Sequence, residues 1–402
     1  MGDGREVIAG FLAARRGART GAVTRRMSQA AARRVLAGSR PAYDVVLIGA
    51  GVIGSSCALQ LARKGFRTLN IDKGPAAGSG STSYSSGNLR TMYTALTSTK
   101  FADEGYRFWQ SWPEQLQAAD DRGFATFRKC GGGVIWTEAA AEFLDKCYAN
   151  HDQLGLPYEV WDRAELKRRM PVFDLTSYHP PRRIDDPDFG TPSDSHRVHG
   201  AGYFPNSGYV SDPMLGAGNL AAAAQATGNA TFMFNSEVKS IDKRSGRISG
   251  LTLGCGQQIA APVVVNVAGP HSAQITSLAF SGEFSELNDM NVMTRPMRQE
   301  VAHVESMPEW SYEKGGMTFA DFDVGVYWRP EVGGKILIGS IEPECDVEHY
   351  MYPQDADSCE YHAEPNAIRL SCNLFGRTFA CIPHFRMFAN TLHGPVMDSR
   401  NS

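Results

Sequence analysis

The sequence predicts an α/β fold, in which a mostly parallel sheet forms one domain and a mainly antiparallel β structure forms a second. Three observations carry this prediction. The buried apolar run Val45-Val-Leu-Ile48 leads into glycines spaced as G-x-G-x-x-G. A second apolar strand at 66–71 ends in an acid, Asp72. Alternating apolar and polar residues at 294–304 and again between 324 and 339 are typical of antiparallel strands.

Three glycines follow the first strand, Gly49, Gly51 and Gly54, and a separate physical requirement explains glycine at each position. Gly49 permits a tight turn, Gly51 lets the backbone approach a pyrophosphate, and Gly54 lets the next helix pack close to the strand. The N–H groups and the dipole at the helix start, at Val52 and Ile53, favour an anion there. The motif therefore predicts a dinucleotide site.

The flanks of this motif decide between a dinucleotide site and an ordinary βαβ unit whose glycines only turn the chain. Residues 52–64 have helical composition and are followed by Gly65, as at many helix ends. Asp72 lies eighteen residues after Gly54, about where an acceptor for a ribose hydroxyl belongs. Strand, helix, second strand and terminal acid together favour the Rossmann-like dinucleotide unit.

Length, charge and cysteine usage exclude several other classes. A chain of 402 residues is long enough for a large core and two domains. A net charge of −3 gives no reason to expect nucleic acid, and no apolar run is long enough to span a bilayer. The eight cysteines include no C-x-x-C pair, so we expect reduced thiols in an intracellular compartment and no metal site.

The N-terminal arm, residues 1–41, has a composition unlike the rest of the chain. Residues 1–40 contain nine Arg and two acids, and residues 7–43 contain no acid at all. This composition is typical of a mitochondrial or plastid transit segment. A disordered arm in a cytoplasmic protein is the alternative, and we expect the mitochondrial location.

A loop of small residues at 76–88 follows the second strand. It could be a flexible linker, but it leaves the strand where a bound dinucleotide would lie, which favours a cofactor cover. A later buried strand at 262–267 ends in Ala268-Gly269, at the edge where open α/β sheets bind ligands. Residues 173–197, rich in Pro, Asp and His, predict an irregular insertion. The helical patterns are at 99–112, 138–154, 165–170 and 214–227.

The order of these elements predicts that both domains are assembled from separate parts of the chain. The predicted segments are the arm at 1–41, the dinucleotide domain at 42–135 and 205–280, the second domain at 136–204 and 281–380, and a C-terminal segment at 381–402.

Taken together, the motifs resemble the FAD-dependent D-amino acid oxidase superfamily, and most of all its glycine oxidase, sarcosine oxidase and dimethylglycine dehydrogenase branch. The resemblance covers residues 43–345. It rests on the G-x-G-x-x-G turn, on Gly80-Ser-Thr-Ser leading to Arg90, on Gly208-Tyr-Val-Ser-Asp-Pro213, on Val264-Val-Asn-Val-Ala-Gly-Pro-His-Ser272, and on Arg295-Pro-Met-Arg-Gln-Glu300 followed by Tyr327-Trp-Arg-Pro330 and Gly334-Lys-Ile-Leu-Ile-Gly339.

The resemblance implies that the dinucleotide is FAD, bound to a Rossmann-like domain. Asp72 would hold the adenosine ribose, the Val238 backbone would meet adenine, and residues 81–87 would pass along the flavin. Some relatives attach FAD through a His in this loop, but here the stretch is Ser83-Tyr-Ser85, which implies non-covalent FAD. The implied cofactor-binding residues are Gly49, Gly51, Val52, Ile53, Gly54, Asp72, Lys73, Ser81, Thr82, Ser86, Gly87, Leu89, Val238, Ala268 and Gly269.

The resemblance also implies an enzyme that moves a hydride from the carbon beside an amine to the flavin, with oxygen or an electron carrier as the final acceptor. An amino-acid carboxylate in a partly dry pocket favours a bidentate Arg, and Arg329 matches the family's position. A structural ion pair is the alternative for Arg329, and Arg90 and Arg298 are the other candidates. Tyr327 and His271 would shape the pocket, although a Tyr on a strand is more often part of a core.

The C-terminal part departs from the family pattern. Relatives end with a second Gly-rich turn into a helix at the flavin pyrimidine, and residues 370–402 contain no such turn. We therefore expect a shortened chain. A catalytically weakened flavoprotein that acts as an assembly or interaction factor is the alternative function, and an NAD-dependent dehydrogenase is a third.

Overall fold

The computed structural model describes residues 42–183, 185–280, 294–299, 301–307 and 309–351. The strands are β1 (Val45–Ile48), β2 (Thr68–Ile71), β3 (Asn88–Leu89), β4 (Phe127–Arg128), β5 (Gly132–Trp136), β6 (Glu159–Asp162), β7 (Gly200–Phe204), β8 (Gly208–Val210), β9 (Ala230–Met233), β10 (Val238–Arg244), β11 (Arg247–Leu253), β12 (Gln258–Ala260), β13 (Val264–Asn266), β14 (Met297–Arg298), β15 (Val301–Glu305), β16 (Thr318–Asp321), β17 (Val326–Glu331), β18 (Lys335–Ser340) and β19 (His349–Tyr350). The α-helices are α1 (Val52–Arg63), α2 (Leu96–Gln110), α3 (Trp112–Leu116), α4 (Ala141–Leu154), α5 (Arg163–Arg169), α6 (Pro213–Ala226) and α7 (Ser272–Ala279).

A parallel sheet in the order β13-β1-β2-β9 forms the centre of the first half of the fold. Every residue of β1 and β2 is buried, as expected for strands that are covered on both faces. Because side chains alternate along a strand, Val45 and Leu47 face one layer while Val46 and Ile48 face the other.

Different structures cover the two faces of this sheet. Helices α1 and α6 pack on the face of Val45 and Leu47, and they contribute Leu59 and Leu220 to the core there. The antiparallel sheet β10-β11-β12 and helix α7 cover the other face. The predicted α/β fold is therefore confirmed, and the carboxyl ends of the parallel strands meet at one edge of the sheet.

A seven-stranded sheet in the order β15-β18-β17-β16-β5-β7-β6 forms the second part of the fold. All its neighbouring strands are antiparallel except β16 and β5, which run parallel. One face buries a core that includes Phe319, Trp328 and Ile338. The opposite face carries Tyr327 and Arg329, since residues two apart on a strand share a face. The predicted second, mainly antiparallel β structure is confirmed.

The irregular segment after α5 covers the apolar face of this sheet. Phe173 and Leu175 are buried in the core described above. Asp323, which is 1% exposed, accepts hydrogen bonds from Ser177 Oγ at 3.0 Å and Tyr178 N at 2.6 Å. A buried carboxylate therefore fixes a segment that has no hydrophobic period of its own.

Two predicted elements differ from those observed. The predicted helix at 99–112 is two helices, α2 and α3, because the chain breaks at Ser111 and restarts with Pro113 in the first turn. The predicted strand at 294–304 is two short strands, because β14 pairs with β19 while β15 pairs with β18. The chain thus changes sheets between Arg298 and Val301.

Several predictions concern residues outside those that the structure describes, namely the arm at 1–41, the C-terminal segment at 381–402 and part of the second domain. The described residues from Tyr43 onward form one compact unit, and the predicted domain boundaries stay a prediction. Among the described helices, no segment has the length and apolar character needed to cross a membrane. The described residues also contain no cluster of His, Cys, Asp and Glu side chains suited to a metal ion.

We expect Asp323→Ala to lower the free energy of unfolding by about 2 kcal/mol, because the buried Ser177 hydroxyl and Tyr178 N–H lose their acceptor. Urea unfolding measures the change. Asp174→Ala is the matched control, since Asp174 accepts from the Tyr178 hydroxyl but is only partly buried. Equal losses in the two variants would contradict the special role of Asp323.

Candidate active site

The turn after β1 is held by close backbone contacts that only glycine permits. Gly49 has φ +115°, and a Cβ there would lie 2.3 Å from the Val267 carbonyl oxygen. A Cβ on Gly54 would lie 2.0 Å from the Gly49 oxygen. The tight turn at Gly49 is thus present as predicted. The close approach at Gly54 brings α1 against Gly49, the residue that directly follows β1.

The N-terminus of α1 points from this turn to the edge where the parallel strands end. Gly51 is the N-cap and supplies no side-chain hydrogen bond, and Ile53 is 65% exposed. The Val52 N–H donates to Thr82 Oγ1 at 3.1 Å, so the loop after β2 reaches the start of this helix. Backbone donors, the helix dipole and a hydroxyl together fit a phosphate group.

Asp72, at the end of β2, holds the surrounding backbone. Its Oδ2 accepts from Ala50 N at 2.6 Å and its Oδ1 accepts from Gly74 N at 2.7 Å. A carboxylate oxygen can accept more than one hydrogen bond, and Asp72 is only partly buried. The carboxylate therefore retains capacity for a ribose hydroxyl while it also fixes the glycine turn. Lys73 beside it is exposed.

The loop of small residues after β2 is fixed by hydrogen bonds, so the flexible-linker interpretation is wrong. Gly78 N donates to Ala50 O at 2.9 Å, and Val210 N donates to Gly87 O at 2.9 Å. A Cβ on Gly87, whose φ is +64°, would lie 2.6 Å from Val210 O. The loop thus runs from the helix start to β8. Of the predicted cofactor-binding residues it contains Ser81, Thr82, Ser86 and Gly87, and Leu89 follows in β3.

Two further segments reach the same edge of the parallel sheet. Gly254 N donates to Glu237 O at 2.8 Å, which makes Val238 and Leu253 a non-hydrogen-bonded pair. The N–H and C=O of Val238 therefore point away from β11, as a backbone contact with adenine requires. Ala268 and Gly269 lie two and three residues after the end of β13, and Gly269 begins a short 3₁₀ turn.

The face of the seven-stranded sheet opposite its core holds the predicted catalytic residues Tyr327 and Arg329. A Cβ on Gly339 would lie 2.3 Å from Tyr327 Cζ, so the ring lies flat across that glycine. Tyr327 and Arg298 line a cavity of about 410 Å³. Arg90 makes a different contact: its guanidinium lies 4.8 Å over the Tyr93 ring, and its side chain is exposed. The structure thus places Tyr327 and Arg329 on one face, although Arg329 does not line this cavity, and it shows Arg90 in separate contacts.

Arg329 connects this face to the loop after β2. Its Nε donates to Ser86 O at 2.8 Å, and its Nη1 donates to Glu331 Oε2 at 2.7 Å. The guanidinium lies 4.1 Å over the Tyr209 ring. The Arg329 side chain is 4% exposed. The structural ion pair considered from the sequence is therefore present, whatever else Arg329 binds.

Sequence reasoning assigned no role to Tyr209 or Glu331. Tyr209 is fully buried on β8, and burial raises the pKa of its phenol above the usual range, so the hydroxyl keeps its proton. Glu331 lies two residues after Arg329, and this spacing on a strand was the signal that could have identified the pair. The packing of Tyr209 against Arg329 had no such local signal. His271, the other predicted pocket residue, is buried and contacts Gln274 instead.

This geometry defines a dinucleotide-binding protein with a second β layer against the cofactor loop. Comparison with known proteins then gives the family. The family model described as FAD dependent oxidoreductase matches residues 44–380, so the chain belongs to the FAD-dependent oxidoreductases of the D-amino acid oxidase type. FAD is the cofactor of this family, as the resemblance implied.

Similar proteins include amine and amino-acid oxidases. The chain is 30% identical to a monomeric sarcosine oxidase from Streptomyces avermitilis over 33% of its own length and 34% of the relative. It is 25% identical to a glycine oxidase from Geobacillus kaustophilus over 74% and 70% of the two chains. The crystal structure of that organism's glycine oxidase superposes with a TM-score of 0.63 at 21% identity, covering 87% and 80%. An L-proline dehydrogenase from P. horikoshii gives 0.64 at 18%, covering 86% and 79%. The chain thus spans about a third of the length of the monomeric sarcosine oxidase.

We expect Gly49→Ala to abolish most FAD binding, raising the Kd at least tenfold, because its Cβ would collide with the Val267 carbonyl. Gly65→Ala is a matched control, since Gly65 also has a positive φ (+83°) but a Cβ at that position would meet no atom within 4 Å. It should cost about 1 kcal/mol of stability and keep its flavin. Flavin fluorescence quenching on titration with FAD measures both Kd values, and similar losses would contradict the steric argument.

Proposed function

We propose that this chain oxidises the C–N bond of a small amino acid or N-methyl amine of the glycine, sarcosine or dimethylglycine type. FAD, when bound, supplies a ring that accepts a hydride from the carbon beside the amine. Water then hydrolyses the resulting imine. The family supports the class of reaction, and the glycine oxidase and sarcosine oxidase relatives support the class of substrate.

The observation that carries the proposal is the hydrogen bond from Arg329 Nε to Ser86 O. It brings a buried guanidinium from the seven-stranded sheet to the loop that follows β2, within the dinucleotide half of the fold. A cation at that point can attract and orient a substrate carboxylate beside the reacting carbon. Tyr327, two residues earlier on the same face, would bound the pocket. Arg90, which is exposed, and Arg298, which lines the cavity, remain the other candidates for the carboxylate.

The remaining predictions about the cofactor and its surroundings belong to the same proposal. The glycine turn, Asp72 and the loop after β2 would hold FAD without a covalent bond, since the loop has Ser83-Tyr-Ser85 where a linking His would be needed. Oxygen or an electron carrier would reoxidise the cofactor. The Arg-rich arm supports a mitochondrial location, with plastid and cytoplasm as alternatives.

One observation favours the alternative of a catalytically weakened flavoprotein that serves as an assembly or interaction factor. Glu331 already pairs with Arg329, at 2.7 Å, and this pair is largely buried. A guanidinium that has a protein carboxylate is less available to a substrate. The two functions differ in whether an amine reduces the flavin.

We expect the purified protein to be yellow and its visible absorbance to bleach under anaerobic conditions with glycine, sarcosine or dimethylglycine. Absorbance spectra before and after each addition measure this. A yellow protein that no amine bleaches supports the alternative function. A colourless protein that FAD does not reconstitute contradicts both.

We expect Arg329→Met to raise KM for carboxylate substrates at least thirtyfold, because a charge-assisted hydrogen bond contributes about 2 kcal/mol. Arg329→Lys should recover only part of the loss, since Lys lacks the planar fork. Steady-state kinetics and the flavin-to-protein absorbance ratio measure binding and cofactor content separately. Arg90→Met is the comparison, and a larger rise in that variant would assign the carboxylate to Arg90.

A further inference from the structure

The contacts of Arg329 restrict how it can receive a second carboxylate. A guanidinium binds a carboxylate in a bidentate manner through two neighbouring nitrogens, either Nη1 with Nη2 or Nε with Nη2. Nη1 donates to both Glu331 Oε2, at 2.7 Å, and Pro330 O, at 3.3 Å, so both of its N–H groups have an acceptor. Nε donates to Ser86 O at 2.8 Å, so each edge is partly occupied. Bidentate binding of a substrate carboxylate therefore requires an acceptor on one edge to leave.

Glu331 is the acceptor that can leave at lower cost. Ser86 O belongs to the backbone of a loop whose next residue, Gly87, is hydrogen-bonded to Val210. Glu331 binds through the end of a flexible side chain that is 20% exposed. Its movement needs only a change of rotamer, whereas loss of Ser86 O would move the backbone that the β8 contact fixes.

A second cation lies within reach of Glu331. In the register of β17 and β18, Lys335 is directly opposite Glu331. Directly opposite residues have Cβ atoms about 4.5–5.5 Å apart, close enough for an ion pair. Lys335 is exposed and makes no ion pair among the described residues. Its other neighbour, Glu305, lies across β18 on β15.

We propose that Glu331 is an exchangeable counter-ion, which the substrate carboxylate replaces on Arg329 while Glu331 moves to Lys335. This inference rests on the proposed function, because it assigns the substrate carboxylate to Arg329. In the empty site Glu331 neutralises a buried guanidinium whose other contacts, such as Ser86 O, carry no negative charge. In the loaded site each of the two cations has one anion, because Arg329 pairs with the substrate carboxylate and Lys335 pairs with Glu331.

The exchange makes the site selective in a way that a lone Arg is not. A carboxylate ligand must compete with Glu331, so its affinity is lower than the charge of Arg329 alone would give. A neutral ligand of the same shape does not need the exchange. Glu331 and Lys335 thus determine how strongly the site prefers carboxylate ligands.

The test measures the Kd of methoxyacetate, a carboxylate that resembles N-methylglycine but lacks the amine, on the FAD-loaded full chain by calorimetry. Glu331→Gln keeps an acceptor for Arg329 but removes the competing charge, and should tighten binding at least tenfold. Lys335→Met should weaken binding about threefold, the scale of an exposed ion pair. In the double variant, the effect of Lys335→Met should disappear, because the two residues act together.

Two controls separate this exchange from general electrostatics and from misfolding. Glu305→Gln removes a carboxylate that also faces Lys335, and the Kd of methoxyacetate should stay within a factor of two. The neutral analogue 2-methoxyethanol should bind the wild type and Glu331→Gln equally. If Glu331→Gln does not fold, the exposed Lys335→Met decides alone, and an unchanged Kd overturns the proposal.

The outcomes distinguish this inference from the proposed function. Weaker or unchanged methoxyacetate binding in a folded Glu331→Gln means that Glu331 holds Arg329 in place, and it overturns the exchange even if wild-type flavin is bleached by sarcosine. Flavin that no amine bleaches overturns the proposed function, while the methoxyacetate titrations still report on the exchange.

Discussion

The fold depends on one close backbone approach, in which Gly49 lies against the Val267 carbonyl and Gly54 lies against Gly49. These contacts join the end of β1, the start of α1 and the end of β13. A side chain at either glycine would separate strand from helix, and the helix dipole would no longer point at the sheet edge. Asp72 fixes the same turn from the β2 side through Ala50 N. The cofactor half of the site is therefore a consequence of backbone packing, which explains why so little of it involves long side chains.

The two halves of the site differ in how far the sequence could predict them. The glycine turn, Asp72 and β1 were predictable because their signals are local, with fixed spacings and a continuous apolar run. The contact of Arg329 with Ser86 joins residues that are far apart in the chain, and it was not predicted. The resemblance to a family singled out only Arg329 itself. Tyr209 has no local signal for its place against Arg329. Strand register decides that Lys335 faces Glu331, and a one-residue shift would have removed that pairing.

The fold of the irregular segment after α5 was not predictable either, because the contact that holds it comes from a distant part of the sequence. Between Phe173 and the start of β7 the chain is held by a buried carboxylate, Asp323, that comes from a distant part of the sequence.

The break between α2 and α3 was missed because aromatic residues such as Trp109 and Trp112 continue the apolar pattern across it. These rings stack with centroids 3.8 Å apart, so packing there overrides helical continuity.

The parallel pair of β5 and β16 also determines when the seven-stranded sheet can form. Thr318 pairs with Gly132 across nearly half of the chain, and closing a loop of that length costs roughly 5 kcal/mol of entropy. During synthesis β5 can pair with β7, but its other edge must wait until the ribosome has delivered β16. The glycine-rich backbone of β5 then remains an open sheet edge in the nascent chain. Strand β16, which is synthesised late, therefore also protects the early strand β5 from strand-to-strand aggregation.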